Sequence, residues 1–164
     1  MIGILIPAHN EEALLDDCLR AARIAANHPG LLGEAVQIRV VLDSCSDASA
    51  AIAQAHQVHC LHVQARNVGH ARGVGARYLL EQGARWISCT DADSRVAPDW
   101  LVAQLAQGCD AVCGTVTVDA WSDGFDPAAQ IRYQQAYQAR DGHRHIHGAN
   151  LGVSARAYVE AGGF

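Results

Sequence analysis

The stretch Trp86-Ile87-Ser88-Cys89-Thr90-Asp91-Ala92-Asp93-Ser94 sets an apolar run directly before an acidic pair. Read as a strand, it turns residues two apart to one side, so Asp91 and Asp93 present two carboxylates together where the strand ends. Like charges side by side repel, and a cation between them relieves the repulsion. Hard oxygen ligands suit Mg²⁺ or Mn²⁺, which usually share their coordination with substrate phosphates. The same residues also suit the cap of a following helix, since Asp is common at turns and N-caps. The neighbouring segments decide between the two.

Upstream, Ala71 to Gln82 reads as a helix and Arg85 to Thr90 as the strand that delivers the acids. Downstream, a helix starts near Pro98, suited to a first-turn position, and runs to about Gln107 before a strand over Ala111 to Val118. Toward the N-terminus, Ile2 to Ile6 is a strand. Residues 11 to 26 carry Leu14, Leu15, Cys18, Leu19 and Ala22 at helical spacing, with Asn10 as N-cap. Val36 to Leu42 is a strand entered through the loop around Pro29-Gly30, Asp47 to His56 a short helix capped by Ser46, and Val58 to Val63 a strand. Beyond Val118 the pattern loosens into a loop over Ala120 to Pro127, a helix over Ala128 to Arg140 and a histidine-rich loop over Asp141 to Gly148. A short strand over Ala149 to Val153 and a helix ending at Gly162-Gly163 close the chain. Strand–helix alternation of this kind builds parallel βαβ units, so the fold class is α/β, a mostly parallel sheet with helices on both faces.

The bulk numbers fit one soluble domain: 164 residues, half of them hydrophobic and 18% charged. A formal net charge of −5 leaves no basic stripe for nucleic acid, but a small anion needs only local donors. Six cysteines lie scattered with no Cys-x-x-Cys pair, which reads as reduced thiols in a cytoplasmic protein rather than a zinc or redox motif. The apolar start lacks a basic flank and stops at Pro7, so it reads as a strand and not a signal peptide. No run approaches the length of a transmembrane segment.

In open parallel sheets, ligands bind beyond the carboxyl ends of the strands. The residues there are Ala8-His9-Asn10-Glu11, Asp43, Arg66-Asn67-Val68-Gly69 and Asp91-Ala92-Asp93. A dinucleotide-binding reading fails, because the first turn is Pro-Ala-His-Asn with no Gly-x-Gly-x-x-Gly. The glycines at 69, 73 and 75 fall inside a helical pattern and serve close packing. A phosphate at this edge is therefore held by a metal and side chains, not by a glycine cradle.

The run Ile4-Leu5-Ile6-Pro7-Ala8-His9-Asn10-Glu11-Glu12 resembles the opening strand of family 2 glycosyltransferases of the GT-A fold. Val40-Val41-Leu42-Asp43-Ser44-Cys45-Ser46-Asp47 is similar to their second-strand acidic motif, and Asn67-Val68-Gly69-His70-Ala71-Arg72 to the segment before their third helix. Asp91-Ala92-Asp93 resembles their Asp-x-Asp metal motif, and Gly148-Ala149-Asn150 with Gly162-Gly163-Phe164 their acceptor side. The five motifs occur in order over nearly the whole chain.

The resemblance implies a metal-dependent, inverting transfer of sugar from a nucleotide-diphospho-sugar, UDP-linked, to an unknown acceptor hydroxyl. Residues 1–94 would form the nucleotide-binding part and 95–164 an incomplete acceptor-side part of one domain. Ala8, His9, Glu11, Asp43, Arg72 and Asp91 would line the donor. His9 stands where the family often has a tyrosine against the base, with a turn residue as its plain alternative. Glu11 and Asp43 would bond ribose and base; Leu42 replaces the first acid of the usual pair. Asp47 reads as a helix-start residue. Arg72, in the first turn of its helix, would pair with the diphosphate or simply stand exposed. Asp91 and Asp93 would hold Mg²⁺ or Mn²⁺, with Asp93 the direct ligand and catalytic group, and Gly148, Ala149 and Asn150 would face the acceptor.

The family's general base is a carboxylate shortly beyond its Gly-Gly-Phe segment, and this chain ends at Phe164. Asp141 and Glu160 are the acids of the later part, and neither matches that position. If nothing replaces that base, the expectation is donor binding with little or no transfer; a sheet left partly uncovered would favour a homodimer. A nucleotide-sugar-binding module is the alternative. A sugar-phosphate nucleotidyltransferase is a second one, against which stands the absence of a glycine-rich basic loop over Pro7 to Glu12. His143, His145 and His147 alternate and suit either a second, zinc-type site or an exposed loop. Of the tryptophans, Trp121 is the one placed to touch a sugar.

Overall fold

The computed structural model describes residues 1–121 and 124–164. Their elements alternate as the sequence implies: β1 (Ile2–Ala8), α1 (Leu15–Ala26), β2 (Val36–Asp43), α2 (Ser49–Ala55), β3 (His59–Val63), α3 (Val68–Glu81), β4 (Trp86–Cys89), α4 (Trp100–Ala106), β5 (Ala111–Cys113), α5 (Pro127–Ala136), β6 (Leu151–Ser154) and α6 (Ala155–Glu160). Single 3-10 turns sit at Pro29–Leu31 and Gly148–Asn150. The loop expected over Ala120 to Pro127 includes Ser122 and Asp123, which lie outside the described residues.

The strands form one sheet in the order β3-β2-β1-β4-β6-β5. β1 pairs in parallel with β2 and β4, and β2 with β3. β6 runs antiparallel between β4 and β5, a departure from uniform βαβ winding. Periodicity shows that a segment is a strand but not which neighbour it takes. The register aligns Ala8 with Leu42 and Asp43 with Val63, so the loops leaving β1, β2 and β3 emerge level with one another.

β1 is buried at all seven positions because helices cover both faces of the sheet. Ile2, Ile4, Ile6, Val40 and Leu42 face Leu15, Cys18, Leu19, Ala22 and Ala25 of α1, whose spacing keeps one stripe on the sheet. Leu5, Val41, Ile87 and Cys89 face Ala71, Ala76 and Leu79 of α3 on the other side.

Several boundaries differ from the sequence reading. Asn10 does not cap α1: it takes a positive φ of 56° and its side chain accepts from the Ser46 amide, and the helix begins at Leu15. Ser46 does not cap α2, which begins at Ser49. α3 begins three residues early because Asn67 caps it, its Oδ1 accepting from the His70 amide; Arg72 therefore stands in the second turn. β5 ends at Cys113 rather than Val118. β4 ends at Cys89, so Asp91 and Asp93 lie in the turn beyond it and share no strand face.

Of the three glycines read as packing positions, Gly75 is the one the sheet requires: a Cβ there would lie 2.2 Å from Leu5 Cδ1 and 2.8 Å from Val41 Cγ2. At Gly73 the nearest atom outside the helix is 3.6 Å away, an ordinary contact. Gly75→Ala is expected to lower unfolding stability by about 1–3 kcal/mol through overpacking, and Gly73→Ala to raise it by roughly 0.5–1 kcal/mol through helix propensity. Urea unfolding of the two variants checks the pair; equal shifts would show that α3 does not pack this tightly.

Candidate functional site

At the C-terminal edge of the sheet, the loops after β1 and β2 are clasped by reciprocal side-chain bonds to backbone. Asn10 Oδ1 accepts from Ser46 N (2.8 Å), Glu12 Oε2 from Ala48 N (2.9 Å), Asp47 Oδ2 from Glu12 N (2.9 Å) and Ser49 Oγ from Glu11 N (2.9 Å). The Ser-Cys-Ser-Asp run after β2 carried this signal in composition, but the partners are over thirty residues away. Asp47 was read only as a helix-start residue. Its Oδ1 does bond the Ser49 amide at the start of α2, and its Oδ2 holds the neighbouring loop. His9 Nδ1 donates to the Asp43 carbonyl at 2.6 Å, which fixes its tautomer when neutral. Asn10, Ser44 and Arg66, one after each of the first three strands, have φ of 56°, 55° and 47°. Such left-handed residues are uncommon and gather where surrounding structure imposes them.

Asp43 is buried at 4% exposure and turned to the β3–α3 loop. Its Oδ1 accepts from the amides of Ala65 (2.8 Å) and Arg66 (2.9 Å) and the Ser44 hydroxyl, and its Oδ2 from the Asn67 amide (2.7 Å). Burial pushes its pKa up, but these donors outweigh burial and hold it at about 2. The carboxylate thus shapes the loop that starts α3, and its acceptor positions are filled by the protein.

The remaining acids of this edge are Glu11, Asp91 and Asp93. Burial raises the Glu11 pKa, and the charges of Asp93, Asp47 and Asp91 raise it further, with His9 opposing. Four carboxylates from three loops therefore share one field. Cys18 lies beneath them, its thiol donating to the Asp91 carbonyl at 3.3 Å; burial first, then the charges of Asp93, Asp91 and Glu11, push its pKa up to about 12. Arg72 pairs with Asp91 Oδ1, so the structure turns it to the acidic motif and not to solvent. Thr90 Oγ1 and Arg72 Nε are buried with no hydrogen-bond partner among the described residues, as at sites completed by a bound group.

Hard carboxylate oxygens in mutual repulsion fit a divalent cation. Among the described residues no group of three or more His, Cys, Asp or Glu side chains is arranged to hold an ion. The pair therefore fits a metal that shares its shell with ligand phosphates, as Mg²⁺ commonly does, and not a closed protein cage.

The turn Gly148–Asn150 stands on the far side of Arg72: a Cβ on Gly148 would lie 2.4 Å from the Arg72 Cζ. Asn150 looks inward. Its Oδ1 accepts from Trp100 Nε1 (2.8 Å), with a longer contact from Gln104 Nε2 (3.4 Å), and its Nδ2 donates to the Thr115 carbonyl (2.9 Å). Gln104 in turn takes the Ser88 hydroxyl, so Asn150 fastens the β5–β6 layer to α4. Trp121 packs on Phe125 and Tyr133, and the rings continue through Tyr137 to His145 at centroid spacings of 4.4–5.4 Å. His143, His145 and His147 stack on one another rather than converge on an ion.

A concavity of about 570 Å³ lies at the opposite edge of the sheet, between the end of α1 and the starts of β2 and β3. Its one acid, Glu34, is paired with Arg85 and the N-terminal amine. Titratable groups with unmet charge collect instead at the strand-end loops, which is where ligand chemistry is concentrated.

The family model "Glycosyl transferase family 2" matches residues 3–158. No curated protein sequence matches the chain. Among solved structures, the mannosyltransferase PcManGT from Pyrobaculum calidifontis, in complex with GDP-Man and Mn²⁺, is 17% identical with a TM-score of 0.74, over 99% of this chain and 47% of that one. S. aureus TarS 1–349 is 12% identical with a TM-score of 0.69, over 98% and 49%. Glucosyl-3-phosphoglycerate synthase from Mycobacterium tuberculosis, in complex with Mn²⁺, UDP-Glc and phosphoglyceric acid, is 15% identical with a TM-score of 0.62, over 94% and 56%. The chain spans about half the length of these structures, and the likeness identifies the fold as GT-A. No described helix is long and apolar enough to cross a membrane.

Asp43, with its folded pKa depressed from 3.8 to about 2, stabilises the fold fully above pH 4 and loses that contribution as pH falls through 2. Asp43→Asn should remove this acid dependence and cost about 2 kcal/mol or more at neutral pH, because an amide cannot serve all the buried donors. Denaturant unfolding from pH 2 to 7 tests both; a variant as stable as wild type would show that the β3–α3 loop does not lean on this carboxylate.

Proposed function

The chain belongs to glycosyl transferase family 2, and on that premise we propose that it binds a nucleotide-diphospho-sugar, UDP-linked, and transfers the sugar with inversion to an acceptor hydroxyl, using Mg²⁺ or Mn²⁺. The observation that carries this reading is the convergence of Glu11, Asp91 and Asp93 at the strand ends, a charge concentration that a cation and a diphosphate together neutralise.

In this reading residues 1–94 grip the donor and 95–164 face the acceptor. His9, anchored to β2 through the Asp43 carbonyl, offers its ring to the base, and Ala8 lets the base approach the end of β1. Glu11 accepts from the ribose or base. Asp43 acts through the 65–67 loop it holds, as a positioning residue. Asp93, with no ion-pair partner among the described residues, and Asp91 are the metal ligands. The bound ion supplies Lewis-acid stabilisation of the departing diphosphate. Gly148 and Ala149 border the acceptor, while Asn150 holds their turn in place through Trp100. Six unpaired thiols support a cytoplasmic setting. An inverting transfer also needs a base on the acceptor side.

Calorimetric titration with UDP and GDP, with and without Mn²⁺, tests the reading. One nucleotide should bind at least about tenfold more tightly with the ion, a difference of roughly 1.4 kcal/mol. Asp93→Ala should abolish that metal-dependent gain. Nucleotide binding that ignores both Mn²⁺ and Asp93 would overturn the assignment.

A further inference from the structure

Taking Asp91 as a metal ligand from the reading above, we infer that Arg72 is a resident counter-cation that the metal must displace. It occupies the Asp91 carboxylate in the metal-free site, opposes a divalent ion that arrives alone, and so makes ion binding depend on the diphosphate.

Three observations carry this. Arg72 pairs with Asp91 Oδ1, while Asp93 and Glu11 have no ion-pair partner among the described residues. The Arg72 side chain is only 13% exposed, so its attraction for Asp91 is weakly screened. The guanidinium also lies flat against the backbone at Gly148, where a Cβ would meet Cζ and Nη2 at 2.4 Å and Nη1 at 2.5 Å. Glycine there is what allows the approach, and the turn holds the charge beside the acids.

A fixed positive charge on one carboxylate of a two-carboxylate site reduces the field an incoming cation meets. A divalent ion entering alone must then push against a guanidinium that cannot retreat into bulk solvent. When the ion arrives with a diphosphate, the two added negative groups give the guanidinium a new partner. Arg72 presents a planar fork suited to two phosphate oxygens. Its buried Nε, which has no hydrogen-bond partner among the described residues, is a further donor for them. The exchange conserves pairing: Asp91 trades the guanidinium for the metal, and the guanidinium trades Asp91 for phosphate. Because binding is reciprocal, the factor by which nucleotide tightens the ion equals the factor by which the ion tightens nucleotide.

The test is Mn²⁺ binding to the full chain, followed by electron paramagnetic resonance of the free ion, alone and with UDP or GDP. Wild type should bind Mn²⁺ weakly alone and about tenfold more tightly with one nucleotide. Arg72→Met should bind Mn²⁺ alone about three- to tenfold more tightly than wild type, since a repelling charge is gone, and should lose most of the nucleotide-dependent gain. Arg72→Lys should keep Mn²⁺ alone within about twofold of wild type, because it keeps the charge. A merely structural arginine would move both affinities down together, and that result overturns the proposal, as does unchanged or absent Mn²⁺ binding in Arg72→Met. Circular dichroism melting checks the fold; if the Met variant does not fold, Arg72→Gln carries the same expectation. If neither nucleotide affects the ion in wild type, the glycosyltransferase reading fails, while the Mn²⁺-alone comparison still decides the role of Arg72.

Discussion

Mutual repulsion among Glu11, Asp47, Asp91 and Asp93 is the constraint around which the C-terminal edge of this sheet is organised. Parallel strands in register deliver their loops to one edge, and these loops deliver carboxylates to one another. A fold tolerates such crowding only where the charges are bonded or countered. Asp47 is bonded, through the Glu12 amide of the neighbouring loop and the Ser49 amide at the start of α2. Asp91 is countered by Arg72. Glu11 and Asp93 remain, and the pKa of Glu11 is raised by burial first and then by the charges of Asp93, Asp47 and Asp91. In the proposed reading a cation with a diphosphate resolves this repulsion, and the electrostatics that strain the edge would select that ligand.

The rest of the architecture holds those charges still. The clasp between the 9–12 and 44–49 loops uses short polar side chains, each satisfying an amide on the opposite loop. Asp43 performs the same task one strand over, with four bonds from the protein. Three left-handed residues at this edge carry local strain that these bonds stabilise. On the other side, the Ser88–Gln104–Asn150–Trp100 network ties the antiparallel β6 to the helical layer, which sets the Gly148 turn against Arg72.

The alternation of strands and helices was legible because apolar period and helix spacing are local properties. The proposed location of the site rests on topology, since strand ends collect ligands in such sheets. What sequence could not supply was partnership at long range. Asn10 looked like a cap because its type is right for one, yet its oxygen is drawn to Ser46 across the sheet edge. Asp91 and Asp93 looked like a strand-face pair, yet the strand stops at Cys89, before either of them. Arg72 was expected to await a diphosphate or solvent, and it meets Asp91 instead. Asn150 sat in an acceptor-like motif, but its amide is bonded into the core. The antiparallel placement of β6 left no trace in periodicity.

The location of the bound metal is the most direct test. With Mn²⁺ and UDP or GDP added to isotopically labelled protein, paramagnetic broadening of backbone amide signals maps distance from the ion. Signals from residues 9–12, 43–47 and 91–94 should broaden first, with those of 33–36 and 57–59 at the opposite edge staying sharp. Broadening centred on the concavity between α1 and the starts of β2 and β3 would contradict the assignment of the acidic edge as the donor site.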